Sequence, residues 1–245
     1  MTAMTTTTTP SQPRILLKLS GEQFEGSREY GIDPKFVNKL AQELAQTIKD
    51  TGAQLVIVVG GGNIMRGASV AANGVERATG DYMGMLATVI NGMALVDILE
   101  QNSVPARLQT RVHINTVAEP YIRRRGIRHL EKGRVVVVAG GTGNPYVTTD
   151  TAAVTTALEL ECDMVLKATK VDGVYDKDPA KFSDAKKHTS LNHRTVLTDP
   201  DMNVMDNAAI SLAMDNQLPI IVFDLLTPGN ITRVIKGENV GTRVE

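Results

Sequence analysis

RVVVVAGGTGNPYVTTDTAAVTTALELE, Arg134–Glu161, contains three kinds of sequence in succession. Val135–Val138 is an unbroken apolar run rather than an alternation, which predicts a strand covered on both faces. GGTGNPYVTTD, Gly140–Asp150, follows with clustered glycines, hydroxyls and a carboxylate. A helix-forming stretch near TAAVTTALELE closes the unit. A doubly buried strand that feeds a helix through a glycine-rich turn is the building block of a parallel α/β sheet.

The same unit recurs along the chain. RILLKLSG (Arg14–Gly21), AQLVIVVGGGN (Ala53–Asn63), ARLQT (Ala106–Thr110), DMVLKAT (Asp163–Thr169) and PIIVFDL (Pro219–Leu225) read as strands. Between them lie helical patterns. In GIDPKFVNKLAQELAQTIKDTG, Asp33 is placed to cap, Pro34 fits the first turn and Gly52 ends the helix. Phe36, Leu40, Leu44 and Ile48 recur four apart and form an apolar face. Further helices are expected in DYMGMLATVINGMALVDILEQN, near EPYIRRRGIRHLEKG and around NAAISLAMDN. The Asp81–Asn102 helix is apolar over much of its circumference. Met83, Leu86, Ile90 and Met93 are expected to face the sheet, and Met85, Val89 and Val96 to face a second subunit. The expected fold is a three-layer α/β/α sandwich with a mostly parallel central sheet, spanning residues 14–245 as one domain. Residues 1–13, threonine-rich with Pro10 and Pro13, are expected to be a disordered tail.

Composition narrows the function. The 245 residues carry a net charge of −1, which argues against a dedicated nucleic-acid binder but leaves room for a local anion pocket. With no Trp, four Phe and five Tyr, the core is aliphatic. One cysteine, Cys162, allows no disulfide within the chain and fits a reducing cytoplasm. The N-terminal segment has no apolar core of a secretion signal. No segment reaches the roughly 20 unbroken apolar residues of a membrane span. One Cys and four scattered His offer no zinc-ligand spacing, so no protein-bound metal is expected.

The unusual residues cluster just after the strands, in KLSGE, GGGNIMRG, GGTGNPYVTTD and KATKVDGVYDKDP. Ligands of open parallel sheets bind at the carboxyl ends of strands, so these loops are candidates for one crevice. Backbone N–H groups at glycine turns hold phosphate oxygens but supply little net charge. GGTGNPYVTTD lacks the lysine of a P-loop, so the positive charge must come from elsewhere. Lys18 and Arg66 are placed to supply it, with Lys167 or Lys170 from the fourth loop. VVGGGN is no dinucleotide fingerprint, because Met65 stands at the third glycine position. Asp150 reads equally as a helix cap or as a carboxylate that organises Lys18 or Mg2+-bound water, and Asp206 has the same latter option.

Together ILLKLSGE, VVGGGNIMRG, GDYMGMLATVINGMAL, GTGNPYVTTDTAA, LKATKVDGVYDKDP and the closing GTRV resemble bacterial UMP kinases of the amino acid kinase superfamily. The resemblance implies transfer of the ATP γ-phosphoryl group to UMP with Mg2+. It implies that Lys18, Leu19, Ser20, Gly21, Gly62 and Arg66 lie against the ATP phosphates. Thr169, Tyr175 and Asp178 are expected around the ATP base and ribose. Gly61, Asp81 and the loop Thr142, Gly143, Asn144, Pro145, Tyr146, Val147, Thr148 and Thr149 are expected to hold UMP, with Asp81 on the ribose hydroxyls. The resemblance also implies a cytoplasmic homohexamer activated by GTP and inhibited by UTP. It ties Gly26, Ser27, Arg28, Glu29, Tyr30 and Gly31, with Arg107 and Arg134, to the GTP response. Val96 and Glu100 stand where some relatives carry basic residues. Two other classes fit the same loops: an enzyme of the superfamily that phosphorylates a small carboxylate, and a nucleotide-binding regulator without turnover.

Overall fold

The computed structural model describes residues 12–67, 72, 74–177, 179, 181–199, 202 and 204–245. Most of the expected N-terminal tail, residues 1–11, and the candidate Asp178 lie outside the described residues. The elements are β1 (Arg14–Leu19), a 3-10 turn (Gly21–Gln23), α1 (Pro34–Thr51), β2 (Gln54–Val59), α2 (Arg77–Gln101), β3 (Ala106–Thr110), β4 (Glu119–Pro120), α3 (Arg123–Glu131), β5 (Val135–Ala139) and α4 (Thr149–Glu159). They continue with β6 (Met164–Thr169), β7 (Val174–Tyr175), β8 (Lys187–His188), β9 (Ser190–Leu191), α5 (His193–Thr198), α6 (Asn207–Asp215), β10 (Ile220–Asp224), α7 (Asn230–Ile235) and β11 (Thr242–Val244).

A nine-stranded sheet runs in the order β4-β3-β5-β2-β1-β6-β10-β11-β9. Every pairing in it is parallel except β10 with β11. The period-two alternation of side chains splits the core into two layers. Ile15, Leu17 and Leu19 of β1, with Leu55, Ile57 and Val59 of β2, pack with α1, α2 and α7. Leu16, Val56 and Val58 pack in the opposite layer with residues of α3, α4, α5 and α6. The expected three-layer sandwich is therefore the fold observed. Asp33 caps α1 by accepting the Lys35 N–H at 3.0 Å, and Gly52 ends it in the left-handed region at φ +66°.

Two expectations need correction. In α2 the two faces are exchanged: Met85 and Val89 are buried, whereas Leu86, Ile90 and Met93 are exposed. The sheet-facing stripe is chosen by small residues. A Cβ at Gly92 would come within 2.7 Å of Leu108 Cδ1, so the helix lies close to the sheet along this line. Thr88 and Asn91, also buried, meet polar partners on the same side, Thr88 accepting the Gly140 N–H at 2.7 Å and Asn91 donating to the Gly60 carbonyl at 2.8 Å. Side-chain size could not reveal this in a helix that is apolar nearly all round. Second, Glu119–Pro120 forms an edge strand and the helix begins only at Arg123. As expected, α2 holds no run of roughly 20 unbroken apolar residues, being interrupted at Asn91 and Asp97, although by length and mean hydropathy alone it could cross a membrane. Its Val89, Leu95 and Leu99 are nevertheless buried in the core beside β3 and β5.

Candidate active site

At β1 the strand order reverses, with β2 on one side and β6 on the other. Chains leaving neighbouring strands at such a point diverge to opposite faces and open a crevice at the carboxyl edge. The loops after β1, β2, β5 and β6 leave from that edge. The sheet thereby gathers the four stretches singled out in the sequence.

At the centre is a cluster of charge. Lys18 is 7% exposed and shares the face of β1 that buries Leu16. Its register partner on β6 is Lys167. Both ammonium groups reach Asp150 in the first turn of α4: Lys18 Nζ lies 2.7 Å from Oδ1 and Lys167 Nζ lies 2.9 Å from Oδ2. Lys167 also donates to the Val204 carbonyl. Burial by itself would raise the Asp150 pKa, but the charges of Lys18 and Lys167 prevail and hold the carboxyl below its ordinary value. Burial lowers the Lys167 pKa, with Asp150 opposing it. Asp150 is not the helix cap. Thr148 is, accepting the Asp150 N–H at 3.0 Å, so the Asp150 carboxylate is free to organise the lysines.

Asp206 sits one layer further out. It caps α6 by accepting the Ala209 N–H at 2.9 Å and takes the Thr151 hydroxyl at 2.8 Å and the Thr148 hydroxyl. It thus joins the N-termini of α4 and α6 and fixes the helix that carries Asp150. Among the described residues, no cluster of His, Cys, Asp and Glu is arranged as a metal cage.

The loops after β1 and β2 interlock backbone to backbone. A Cβ at Gly21 would lie 2.3 Å from the Gly62 nitrogen, and one at Gly60 would lie 2.7 Å from the Gly21 nitrogen. Gly61 packs equally closely on α2, where a Cβ would meet the Gly84 carbonyl at 2.8 Å. Gly62 is the open position of the three, with nothing nearer than Arg66 Nε at 3.5 Å. Ser20 N–H donates to Gln23 Oε1 at 2.9 Å and shapes the turn after Leu19. Arg66 pairs with Glu22 and is largely exposed, so it joins the loops at their rim rather than in the buried cluster.

Asp81 and the loop after β5 come together across the crevice. Gly140, Gly141 and Gly143 all have positive φ, and so does Tyr146 at +67°, a conformation that non-glycine residues seldom adopt. The Tyr146 N–H donates to Asp81 Oδ2 at 2.8 Å. Arg77 Nε binds the same carboxylate at 2.9 and 3.0 Å, and its guanidinium lies 5.6 Å from the Tyr146 ring centroid. Thr142 accepts the Asn144 N–H at 3.3 Å. The Tyr146 side chain is 69% exposed and Val147 is also exposed.

On the other side of the lysines is a cavity of about 220 Å³, lined by Lys167, Thr169, Val174, Tyr175, Val204 and Val222 among others. The Tyr175 hydroxyl donates to Asp172 at 2.7 Å, which raises its pKa and lowers that of Asp172. Thr169 Oγ1 donates to the Val171 carbonyl at 2.6 Å. Lys170, the alternative to Lys167, is exposed and lines a different cavity with Gly26, Ser27, Lys35 and Lys39.

The residues tied to a GTP response are not gathered in one place. Gly31 is bonded to Asn63 through its N–H at 2.9 Å, and Arg28, Glu29 and Tyr30 are exposed. Arg107 pairs with Glu100 at 2.7 Å beside a cavity of about 650 Å³, whereas Arg134 contacts His129 at 3.1 Å and borders another. Both arginines belong to the amino ends of their strands, opposite the crevice. Sequence reasoning gave Lys167 too little weight. Its signal was a charge in the middle of an apolar strand, between the buried Leu166 and Ala168. Arg77 and Thr151 carried no such signal.

A parallel sheet with converging cations, glycine loops and a neighbouring cavity at its carboxyl edge defines a class: proteins that hold phosphorylated ligands at a strand-order reversal. The chain belongs to the amino acid kinase family, whose model matches residues 13–224. It is similar to the UMP kinase of Bacillus anthracis, with 39% identity, a TM-score of 0.90 and 95% of each chain covered. The UMP kinase of Ureaplasma parvum is 31% identical with a TM-score of 0.88, over 96% of this chain and 99% of that one. The uridylate kinase of Archaeoglobus fulgidus is 27% identical with a TM-score of 0.74, over 94% of this chain and 99% of that one.

Proposed function

We infer that this protein is a UMP kinase, which transfers the γ-phosphoryl group of ATP to UMP and yields ADP and UDP. The observation that carries this reading is the Lys18–Asp150–Lys167 cluster, set between the cavity at Tyr175 and the loop that Asp81 holds. One side suits a donor nucleotide and the other an acceptor, with fixed positive charge between them. The similar chains named as UMP kinases at 39% and 31% identity support the same choice of acceptor.

An oxygen of the UMP phosphate attacks the γ-phosphorus, and the bond to the bridging oxygen of ADP breaks. The attacking phosphate is already ionised near neutral pH, so no general base is assigned. Charge spreads over the equatorial oxygens in the transition state, where Lys18 neutralises it. Lys167 and Asp150 keep the Lys18 ammonium in place. Gly62 and Arg66 hold the ATP phosphates, and Thr169, Tyr175 and Asp178 hold its base and ribose. Gly61, Asp81 and the Thr142–Thr149 loop hold UMP. Mg2+ bound with ATP would need few protein ligands here and would add positive charge beside the transferred phosphoryl group.

In this reading residues 14–245 form the kinase domain, the enzyme works in the cytoplasm, and GTP and UTP act as effectors. The exposed face of α2 joins subunits into a homo-oligomer, a hexamer by resemblance. The test is an ADP-release assay with ATP and UMP, CMP, dCMP, aspartate or acetylglutamate as acceptor. Turnover should be greatest with UMP. Preference for either carboxylate would replace this reading with that of a carboxylate kinase.

A further inference from the structure

We propose that Thr242, in the C-terminal strand, is a positioning residue that clamps the β7–β8 hairpin and so holds Tyr175 over the nucleotide cavity. The inference rests on the reading that this cavity takes ATP. Among the described residues the hairpin has two paired positions, Val174 with His188 and Tyr175 with Lys187, and one further backbone bond, from the Asp176 N–H to the Lys186 carbonyl at 3.1 Å. An isolated ribbon of this size does not hold itself together in water. Its support comes from β11. Thr242 is fully buried, and its hydroxyl bonds both members of one pair: it accepts the Val174 N–H at 2.8 Å and donates to the His188 carbonyl. A hydroxyl has one proton to donate, and Thr242 spends it on His188 while a lone pair serves Val174. At Gly173 a Cβ would come within 2.6 Å of the same oxygen, so the hairpin is drawn tightly onto it.

Thr242 is also tied to the opposite cavity wall. It pairs with Val222 of β10, which lines the cavity. Gly241, at φ +82°, lets the chain press onto this strand, since a Cβ there would lie 2.1 Å from the Val222 carbonyl. One residue thus fixes the spacing between the cavity wall at Val222 and the hairpin that carries Tyr175. The hydroxyl lies outside the cavity lining, so its effect on the nucleotide passes through the hairpin.

Thr242→Val keeps the β-branched shape and removes both hydrogen bonds, whereas Thr242→Ser keeps them. Hydrogen exchange of the 170–190 amides should quicken in the valine variant and stay near wild type in the serine variant. The KM for ATP should rise about tenfold in Thr242→Val, because part of the cost of the two lost hydrogen bonds is passed to the nucleotide through the hairpin. The KM for UMP and kcat at saturating ATP should hold, and Thr242→Ser should restore the ATP value. Unchanged exchange, an equal rise in both KM values, or a serine variant as defective as the valine one would overturn the clamp. The exchange arm needs no turnover. Failure of the wild-type protein to phosphorylate UMP would overturn the kinase reading, while faster exchange in Thr242→Val would still establish the clamp.

Discussion

Lys18 and Lys167 stand opposite each other on neighbouring parallel strands, and a single carboxylate, Asp150, bridges their ammonium groups at 2.7 and 2.9 Å. Two buried like charges repel unless something negative lies between them. Lys167 already has a second partner in the Val204 carbonyl, whereas in the proposed reading Lys18 gains its second from the arriving phosphates. In the proposed reading the cluster is a site prepared for extra negative charge, and strand register brings its two lysines together.

Lys18→Met keeps side-chain length and removes the charge proposed to meet the transferred phosphoryl group. The loss should fall on kcat, by about 10²- to 10³-fold, the usual scale for removing one group that meets transition-state charge. UMP affinity by calorimetry should change little. A folded Lys18→Met enzyme with near-normal kcat would remove Lys18 from the chemistry.

Asp150→Asn leaves two ammoniums facing each other without their anion. Stability to urea at neutral pH should fall by about 3 kcal/mol or more, as for other broken buried pairs. The pH dependence follows from the lowered pKa of Asp150 in the folded state. Its stabilisation is fully present above the unfolded carboxyl value, near 3.8, and is lost as pH falls through the lower folded value. The gap between wild type and variant should stay constant above about pH 5 and narrow below 3.8. A gap that widens on acidification would show that the ion pairs do not stabilise the fold.

The parallel core was legible because Leu16, Val56 and Val136 belong to unbroken apolar runs, which are buried on both faces. The carboxyl-edge loops followed from where those runs end. What escaped was short or settled by packing. Strands β7 and β8 have two residues each and β11 has three, too few for any periodicity, and they exist only through partners such as Thr242. The inward face of α2 depended on Gly92 meeting Leu108, a contact between residues of different elements. The separate fates of Lys167 and Lys170 had a simpler cause. Within and just beyond a strand, an odd step reverses the side on which a side chain emerges.

Asp81 holds Arg77 and the Tyr146 N–H with one carboxylate. Asp81→Asn removes the charge from the carboxylate proposed to bind the ribose hydroxyls and weakens its hold on the Tyr146 N–H. UMP affinity should fall about ten- to a hundredfold, with ATP affinity nearly unchanged. Calorimetric titration of each nucleotide measures both. Weaker ATP binding at unchanged UMP binding would assign Asp81 to the donor side.

The exposed stripe of α2, with Leu86, Ile90 and Met93 beside Tyr82, is an apolar face of the kind that soluble proteins cover. Light scattering at micromolar concentration should give an oligomeric mass. Ile90→Asp, at a position 49% exposed, should dissociate it without unfolding the subunit. A monomeric wild type, or an oligomer indifferent to Ile90→Asp, would exclude this face as the interface.

In the proposed reaction a phosphoryl group passes from ATP to UMP between the two sides of the lysine cluster. Phosphorus NMR of the protein with ATP, UMP and Mg2+ follows that transfer atom by atom. The β-phosphorus of UDP should appear in step with ADP, without inorganic phosphate, and chelation of Mg2+ should stop both. ADP formed together with inorganic phosphate and no UDP, or no ADP at all, would contradict it.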